Sequence, residues 1–420
     1  MKRKVFFIIC FYCVVTTSIG QTTKSVLFLG NSYTAVNNLP QTVANIATST
    51  GDNLIFDSNT PGGYTFQGHS TNATSLSKIA LGTWDFVVLQ EQSQMPSFPI
   101  GQVQSSVFPY ARTLDSLINA ANPCTETMFY MTWGRKNGDA SNCSVWPPVC
   151  TYEGMDSLLY MRYMMMTDSN HAVVSPVGKV WRALRNNYPL LDLYQSDGSH
   201  PSLAGTYAAA CCFYTCIFRK DPTFITYNGS LALIDAANIR QTVKSVVFDS
   251  LLNWRIGTYD PMASFNYQVN GSSISFYNTS LNSTQYFWDF GDGTTDTTSN
   301  PTHNYVTQGT YTVTLQSSSC GITDTFSIVV SNNTTGIIIK NLKDDFNSYP
   351  NPAKDFLVLK TEVKNLLHIE AKDINSRSFN LSFQKIDAGY NINIKELEPG
   401  LYIFNIFSDE GVKKIKIIKQ

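Results

Sequence analysis

Ser25-Val26-Leu27-Phe28-Leu29-Gly30-Asn31-Ser32-Tyr33-Thr34 decides how the first half of the chain is read. The apolar run 26–29 reads as a strand buried on both faces, as in a parallel sheet. Gly30 and Asn31 then turn the chain and present Ser32 at the carboxyl edge of that strand. In open α/β sheets this edge is where ligands bind. A serine hydroxyl is a poor nucleophile until a base takes its proton. Far downstream, Asp197-Gly198-Ser199-His200-Pro201-Ser202 supplies a histidine with an aspartate three residues before it. Such a pair can fix one imidazole nitrogen and leave the other to face a serine.

Between these blocks the chain alternates. Strands are expected at 25–29, 54–57, 86–89, 128–132 and 172–177. Helices are expected at 39–47, 75–81, 105–121, 155–167, 180–185, 203–218 and 234–252. Short apolar strands separated by helices imply a mostly parallel sheet covered on both faces, with the strand-to-helix loops gathered at one edge. This unit is expected to cover 24–257.

From about Tyr259 to Asn333 there is no Lys or Arg but five Asp. Strands expected at 274–277, 285–288, 310–315 and 325–330, separated by turns, argue a β-sandwich over 258–333. Residues 334–348 read as a linker, and 349–420 alternate again as a second β-domain. With 420 residues, several domains are expected. A net charge of −1 gives no basic field for nucleic acid.

Lys2, Arg3 and Lys4, an apolar run over 5–15, and Ser18-Ile19-Gly20 read as a secretory signal over 1–20. As a membrane anchor the run is too short, and no later segment approaches spanning length. Removal of the signal leaves seven of nine cysteines. Export permits disulfides: Cys143 with Cys150 closes a small loop, and Cys124 has Cys211 or Cys212 as partners. An odd count leaves at least one thiol free or paired between chains. No CxxC pair remains in the mature chain, so no metal and no cofactor are expected.

The first 24–220 residues resemble the SGNH (GDSL-like) serine hydrolases. The resemblance implies a flavodoxin-like three-layer α/β domain, ahead of two all-β sandwich domains. It implies Ser32 as nucleophile, His200 as base and Asp197 as its orienter. Ser199 is a candidate cap for the following helix, with Pro201 in its first turn. Of five histidines, His303 and His368 lie in the later domains, His171 reads as core, and His69 is the competitor, with packing ranked above a pocket role. The family's oxyanion hole uses the serine amide, a glycine amide after the second strand and an Asn side chain after the third. Carried over, these are Ser32, Gly63 (or Gly62) and Gln92 (or Gln90 or Gln94). The chain departs from the pattern with Asn31 in place of Asp and with Gln90-Glu91-Gln92-Ser93-Gln94 in place of Gly-x-Asn-Asp. Trp133 and Arg135 follow the fourth strand and are expected on the substrate rim, with Glu91 as a partner for Arg135. Activity is expected to fall on acidification as the histidine base protonates.

Trp288-Asp289-Phe290-Gly291-Asp292-Gly293, with Gly309-Thr310-Tyr311-Thr312-Val313, resembles a PKD domain. The spacing of Asp289, Asp292 and Asp296 is not that of an EF-hand, and Trp288 is either core or a sugar platform. Tyr349-Pro350-Asn351-Pro352, Pro399-Gly400-Leu401-Tyr402 and the lysine-bearing end resemble the C-terminal sorting domain of type IX secretion. That implies a secreted or cell-surface protein handled by this machinery, with the tail removed. The expectation is an esterase acting on an ester substrate such as acetylated polysaccharide. The competing readings are an inactive carbohydrate- or surface-binding protein on the same fold and a metal-dependent phosphoesterase.

Overall fold

The computed structural model describes residues 21–420 apart from 333–337, 342–345, 362, 364, 374–376, 388 and 409–410. The expected signal segment lies outside the described residues. The first unit has strands β1 (Thr23–Leu29), β2 (Asn53–Asn59), β3 (Phe86–Leu89), β4 (Glu126–Tyr130) and β5 (Val173–Ser175). Its helices are α1 (Ser32–Ala35), α2 (Leu39–Ser49), α3 (Phe66–Thr71), α4 (Ala73–Ile79), α5 (Ile100–Ser106), α6 (Phe108–Ala121), α7 (Tyr152–Ser169), α8 (Val177–Asn187), α9 (Leu203–Phe218) and α10 (Leu233–Val246).

The sheet is wholly parallel in the order β2-β1-β3-β4-β5. This is the flavodoxin-like order, and the chain reverses direction of addition beside β1. β3 is buried throughout, as are the last four residues of β1, which is why both read as unbroken apolar runs. α9 is buried on every side except its first residue, because it is wedged against α2, α8 and α10 while Phe213 meets Phe28 and Tyr130 edge-on.

Two expected helices are interrupted. The one expected at 105–121 breaks at Val107 (φ −124°) because Pro109 has no N–H to continue the ladder, so α6 restarts at Phe108. The one expected at 234–252 ends at Val246 and continues as a 3₁₀ segment, Phe248–Trp254. His171, expected in the core, is instead exposed at φ 50° in the turn between α7 and β5.

The remainder is β-structure: β6 (Phe265–Asn270), β7 (Ser273–Asn278), β8 (Gln285–Asp289), β9 (Thr295–Asp296), β10 (Thr302–Asn304), β11 (Thr310–Ser319), β12 (Ile322–Ser331), β13 (Ile338–Asn341), β14 (Asn347–Tyr349), β15 (Phe356–Lys360), β16 (Leu366–Asp373), β17 (Ser378–Asn380), β18 (Phe383–Ile386), β19 (Gly389–Asn393), β20 (Gly400–Ser408) and β21 (Gly411–Lys419). Trp288 is buried in the first sandwich and its Nε1 donates to Thr298 O at 2.9 Å, so it is core and not a sugar platform. The stretch read as a linker carries β13 and the start of β14. β13 pairs antiparallel with β6 and parallel with β21, which makes one sheet of both β-regions. Lysines of β21 bind across this junction. Lys414 Nζ donates to Ala263 O at 2.7 Å and to Asp324 at 2.5 Å, and Lys416 Nζ donates to Gly257 O and Thr258 O.

Cys143 and Cys150 form the expected disulfide. Cys124 bonds neither Cys211 nor Cys212 but Cys320, and so ties the α/β unit to the first sandwich. The reason is placement: Cys211, Cys212 and Cys216 lie on buried α9, whereas Cys124 lies in the exposed turn before β4.

Candidate active site

The loops after β1, β2, β3 and β4 meet at one edge of the sheet. Asn31 caps α1, with its Oδ1 accepting from Tyr33 N at 3.1 Å. Its Nδ2 donates to Tyr64 O at 2.9 Å, which fastens the loop after β2 to the serine turn. Aspartate cannot make that bond, and this accounts for the departure at position 31. Gln90 locks the same turn from the third strand. Its Oε1 accepts from Asn31 N (3.0 Å) and Thr34 Oγ1 (2.9 Å), and its Nε2 donates to Asn31 Oδ1 (2.8 Å) and Glu91 O (2.6 Å). With both amide hydrogens so engaged, Gln90 has none left for a ligand.

Ser32 is half-buried at the start of α1, where its N–H belongs to the turn that a helix leaves without an internal acceptor. His200 Nε2 lies 2.8 Å from Ser32 Oγ, and His200 Nδ1 lies 2.5 Å from Asp197 Oδ2. The other oxygen of Asp197 accepts from the N–H of Ser199 (2.9 Å) and of His200 (3.0 Å). Burial pushes the Asp197 carboxyl up, but the bonds from the His200 ring and these two amides outweigh it and hold it below the usual carboxylate range. The ionised carboxylate accepts from Nδ1–H, so Nε2 presents its lone pair to the serine. Gly198 takes φ 66° to close this turn, a conformation that costs an L side chain strain. Ser199 is not the cap of α9. Ser202 is, through its Oγ and Gly205 N at 3.1 Å, and Pro201 lies ahead of the helix.

Gly63 sits on the exposed turn after β2 at φ 68°, and neither it nor Gly62 has an atom within 4 Å of the space a side chain would fill. Gln92 is half-buried. Its Oε1 accepts from Gln94 N (2.8 Å) and Met95 N (3.1 Å), and its Nε2 donates to Gln94 Oε1 at 3.0 Å. Gln94 Nε2 in turn donates to Asp139 Oδ2 at 2.7 Å, so both side chains are engaged in the loop fold, and each keeps a second amide hydrogen beyond these bonds.

Three side chains sit elsewhere than expected. Trp133 is no rim residue: it is fully buried, stacked between Tyr33 (4.8 Å) and Trp181 (3.7 Å), with Nε1 donating to Ser199 O at 3.1 Å. Arg135 pairs with the fully buried Asp139 at 3.2 Å and not with Glu91. Glu91 is itself fully buried, accepting from Phe66 N (3.0 Å) and Gln92 N (2.6 Å). Burial pushes its carboxyl up to about 8 despite those two amides. His69 has the packing role: buried, it bonds Gly30 O at 2.9 Å and Ser75 Oγ at 2.7 Å. Sequence reading missed Tyr33, whose hydroxyl lies 2.6 Å from Ser199 Oγ, and Asp139, which joins Arg135, Gln94 and Asn142. Neither carries a spacing signal that would have exposed it.

The site is thus a hydroxyl, an imidazole and a carboxylate in one hydrogen-bonded line at the ligand edge of a flavodoxin-like sheet. Comparison with known proteins adds the rest of the chain. Residues 263–330 match the family model described as PKD domain, and residues 347–420 match the one described as secretion system C-terminal sorting domain. The sorting domain marks the protein as secreted or displayed at the cell surface. No helix among the described residues is long and apolar enough to cross a membrane.

Among curated proteins, a pre-pro-metalloprotease, PrtV, of Vibrio cholerae is 44% identical over 59 residues, 13% of this chain and 6% of that protein. Among solved structures, a DUF4886 family protein from Bacteroides uniformis is 17% identical, over 55% of this chain and 95% of that one, with TM-score 0.47. A putative SGNH hydrolase from Slackia heliotrinireducens is 25% identical, over 46% of this chain and 98% of that one, with TM-score 0.38.

Proposed function

We propose that the protein is a secreted serine esterase that removes O-acetyl or other short acyl groups from polysaccharides through an acyl-enzyme. The observation that carries the reading is the line Asp197–His200–Ser32, with contacts of 2.5 and 2.8 Å between side chains up to 168 positions apart in sequence. Ser32 Oγ attacks the ester carbonyl as its proton passes to His200 Nε2. The imidazolium formed is stabilised by Asp197 through Nδ1–H. The tetrahedral oxyanion is held by the N–H groups of Ser32 and Gly63, joined by the second amide hydrogen of Gln92. The C–O bond to the alcohol then breaks as His200 Nε2 returns its proton to the leaving oxygen. Water repeats the sequence on the acyl-serine and releases the carboxylic acid. Arg135, about a quarter exposed beside this edge, offers guanidinium hydrogens to sugar hydroxyls or an acidic group on the substrate.

The test is a panel of acetylated glycans and short-chain aryl esters, run with the mature protein and its Ser32→Ala variant, together with labelling by a fluorophosphonate. Turnover with loss on the order of 10³- to 10⁶-fold in the variant supports the reading. Full activity in Ser32→Ala overturns it, and so does a wild-type protein that neither turns over nor labels. The latter result favours a binding protein on this fold.

A further inference from the structure

We propose that Tyr33 is a positioning residue that holds the 197–200 turn over Ser32; the inference rests on the esterase reading above. The turn needs such a support. Its functional side chains are open to solvent, 47% for Asp197 and 31% for His200. Two of its backbone bonds are internal, from Gly198 N to Gln195 O at 3.0 Å and from Gln195 N to His200 O at 2.8 Å, and Lys136 N donates to Gly198 O at 2.8 Å, which ties the turn to the loop after β4. These backbone bonds fix the shape of the turn and its place against the loop after β4, but none of them reaches the loop that carries Ser32. Ser32 and His200 must nevertheless stay within hydrogen-bond reach.

Tyr33 follows Ser32 in α1, where successive side chains point about 100° apart. Ser32 therefore faces the sheet edge while Tyr33, 3% exposed, runs beneath the turn. Its ring lies parallel to Trp133 (4.8 Å, 4°), which lies parallel to Trp181 (3.7 Å, 8°), and Tyr194 closes the stack edge-on at 4.9 Å. The ring plane is thus set by the loop after β4, by α8 and by the approach to the turn. The His200 ring sits edge-on to Tyr33 at 5.4 Å. From this fixed ring the hydroxyl reaches Ser199 Oγ at 2.6 Å, one residue before the base.

Ser199 is then held at each polar group: its N–H by Asp197, its carbonyl by Trp133 Nε1 at 3.1 Å and its hydroxyl by Tyr33. Asn37 Nδ2 fastens the far side of the turn at Pro201 O, 3.0 Å away. Burial pushes the Tyr33 ionisation up, so the hydroxyl keeps its proton through the working range. The nucleophile's own helix therefore supplies the strut for the base.

The variants are Tyr33→Phe, which keeps the stack and removes only the hydroxyl, Ser199→Ala, which removes the other end in a partly exposed turn, and the double variant. Each single change is expected to lower kcat roughly five- to tenfold with KM unchanged, as befits one lost hydrogen bond. The double variant is expected to be no slower than either, because both remove the same contact. The rate of fluorophosphonate labelling at Ser32, which does not depend on substrate binding, should fall by the same factor. Full kcat and full labelling rate in both single variants overturn the inference while leaving the esterase reading intact. Multiplicative losses in the double variant overturn it as well. If the wild-type protein neither labels nor turns over, both fall together.

Discussion

Asp197→Asn separates the orienting role of this carboxylate from its part in building the turn. Asparagine keeps a carbonyl oxygen for the Ser199 and His200 amides, now 2.9 and 3.0 Å from Asp197 Oδ1, so the turn is expected to persist. What changes is the group facing His200 Nδ1. A charge-assisted bond is lost, worth roughly 1.5–3 kcal/mol or about 10- to 150-fold. In addition, an amide N–H now faces the ring and favours the tautomer with the proton on Nε2. Ser32 then meets an N–H where it needs a lone pair, and the combined loss should reach about 10³- to 10⁴-fold in kcat. The assay is release of p-nitrophenol from a short-chain ester near neutral pH, with circular dichroism and Tm to verify the fold. KM should change little, because Asp197 touches no substrate. A variant with native Tm and more than about a tenth of the wild-type kcat would refute an oriented histidine base.

Glu91 makes a prediction about stability. Its carboxyl is raised from 4.5 in the reference state to about 8 in the folded chain. Between those values the folded state holds a proton that the unfolded chain has released, so this group's stabilising contribution is complete below about pH 4.5 and is lost as pH rises through 8. Glu91→Gln carries a constant cost, since its amide nitrogen cannot accept from a backbone N–H. Even so, its unfolding free energy should fall less steeply with pH by about 1.4 kcal/mol per unit across that window. Parallel curves from denaturant melts at pH 5.5 to 7.5 would contradict a protonated Glu91. Gln92→Ala should lower kcat on the order of 10²-fold with little change in KM if its free amide hydrogen meets the oxyanion. An unchanged kcat would reduce the hole to the two backbone donors. Trp133→Ala empties the centre of a three-ring stack and should cost about 3–5 kcal/mol. Calorimetry should then show Tm lower by on the order of 10 °C, and a shift below ~2 °C would mean that the stack adds nothing to stability.

Much of this could be read from the chain alone because the signals are local. The run 26–29 reads as a buried strand because parallel strands covered on both faces must be apolar throughout. Asp197 and His200 are three residues apart, so one turn joins them and their pairing is visible in sequence. Ser32 follows its strand directly, and its place at the edge needs only the topology.

Tertiary structure alone decided what depends on distant partners. Trp133, following a strand like any rim residue, is drawn inward because Tyr33 and Trp181 offer it flat faces. Glu91 and Arg135 sit in neighbouring loops and look like an ion pair, yet the fold buries one against backbone amides and gives the other Asp139. Cys124 finds Cys320 across 196 positions because α9 sequesters the nearer thiols. A linker-like stretch becomes β13 because open edges of two sheets lie on either side of it. Sequence states which groups a residue offers; which of them are met depends on what the packed chain brings within about 3 Å, and that is a property of the whole fold.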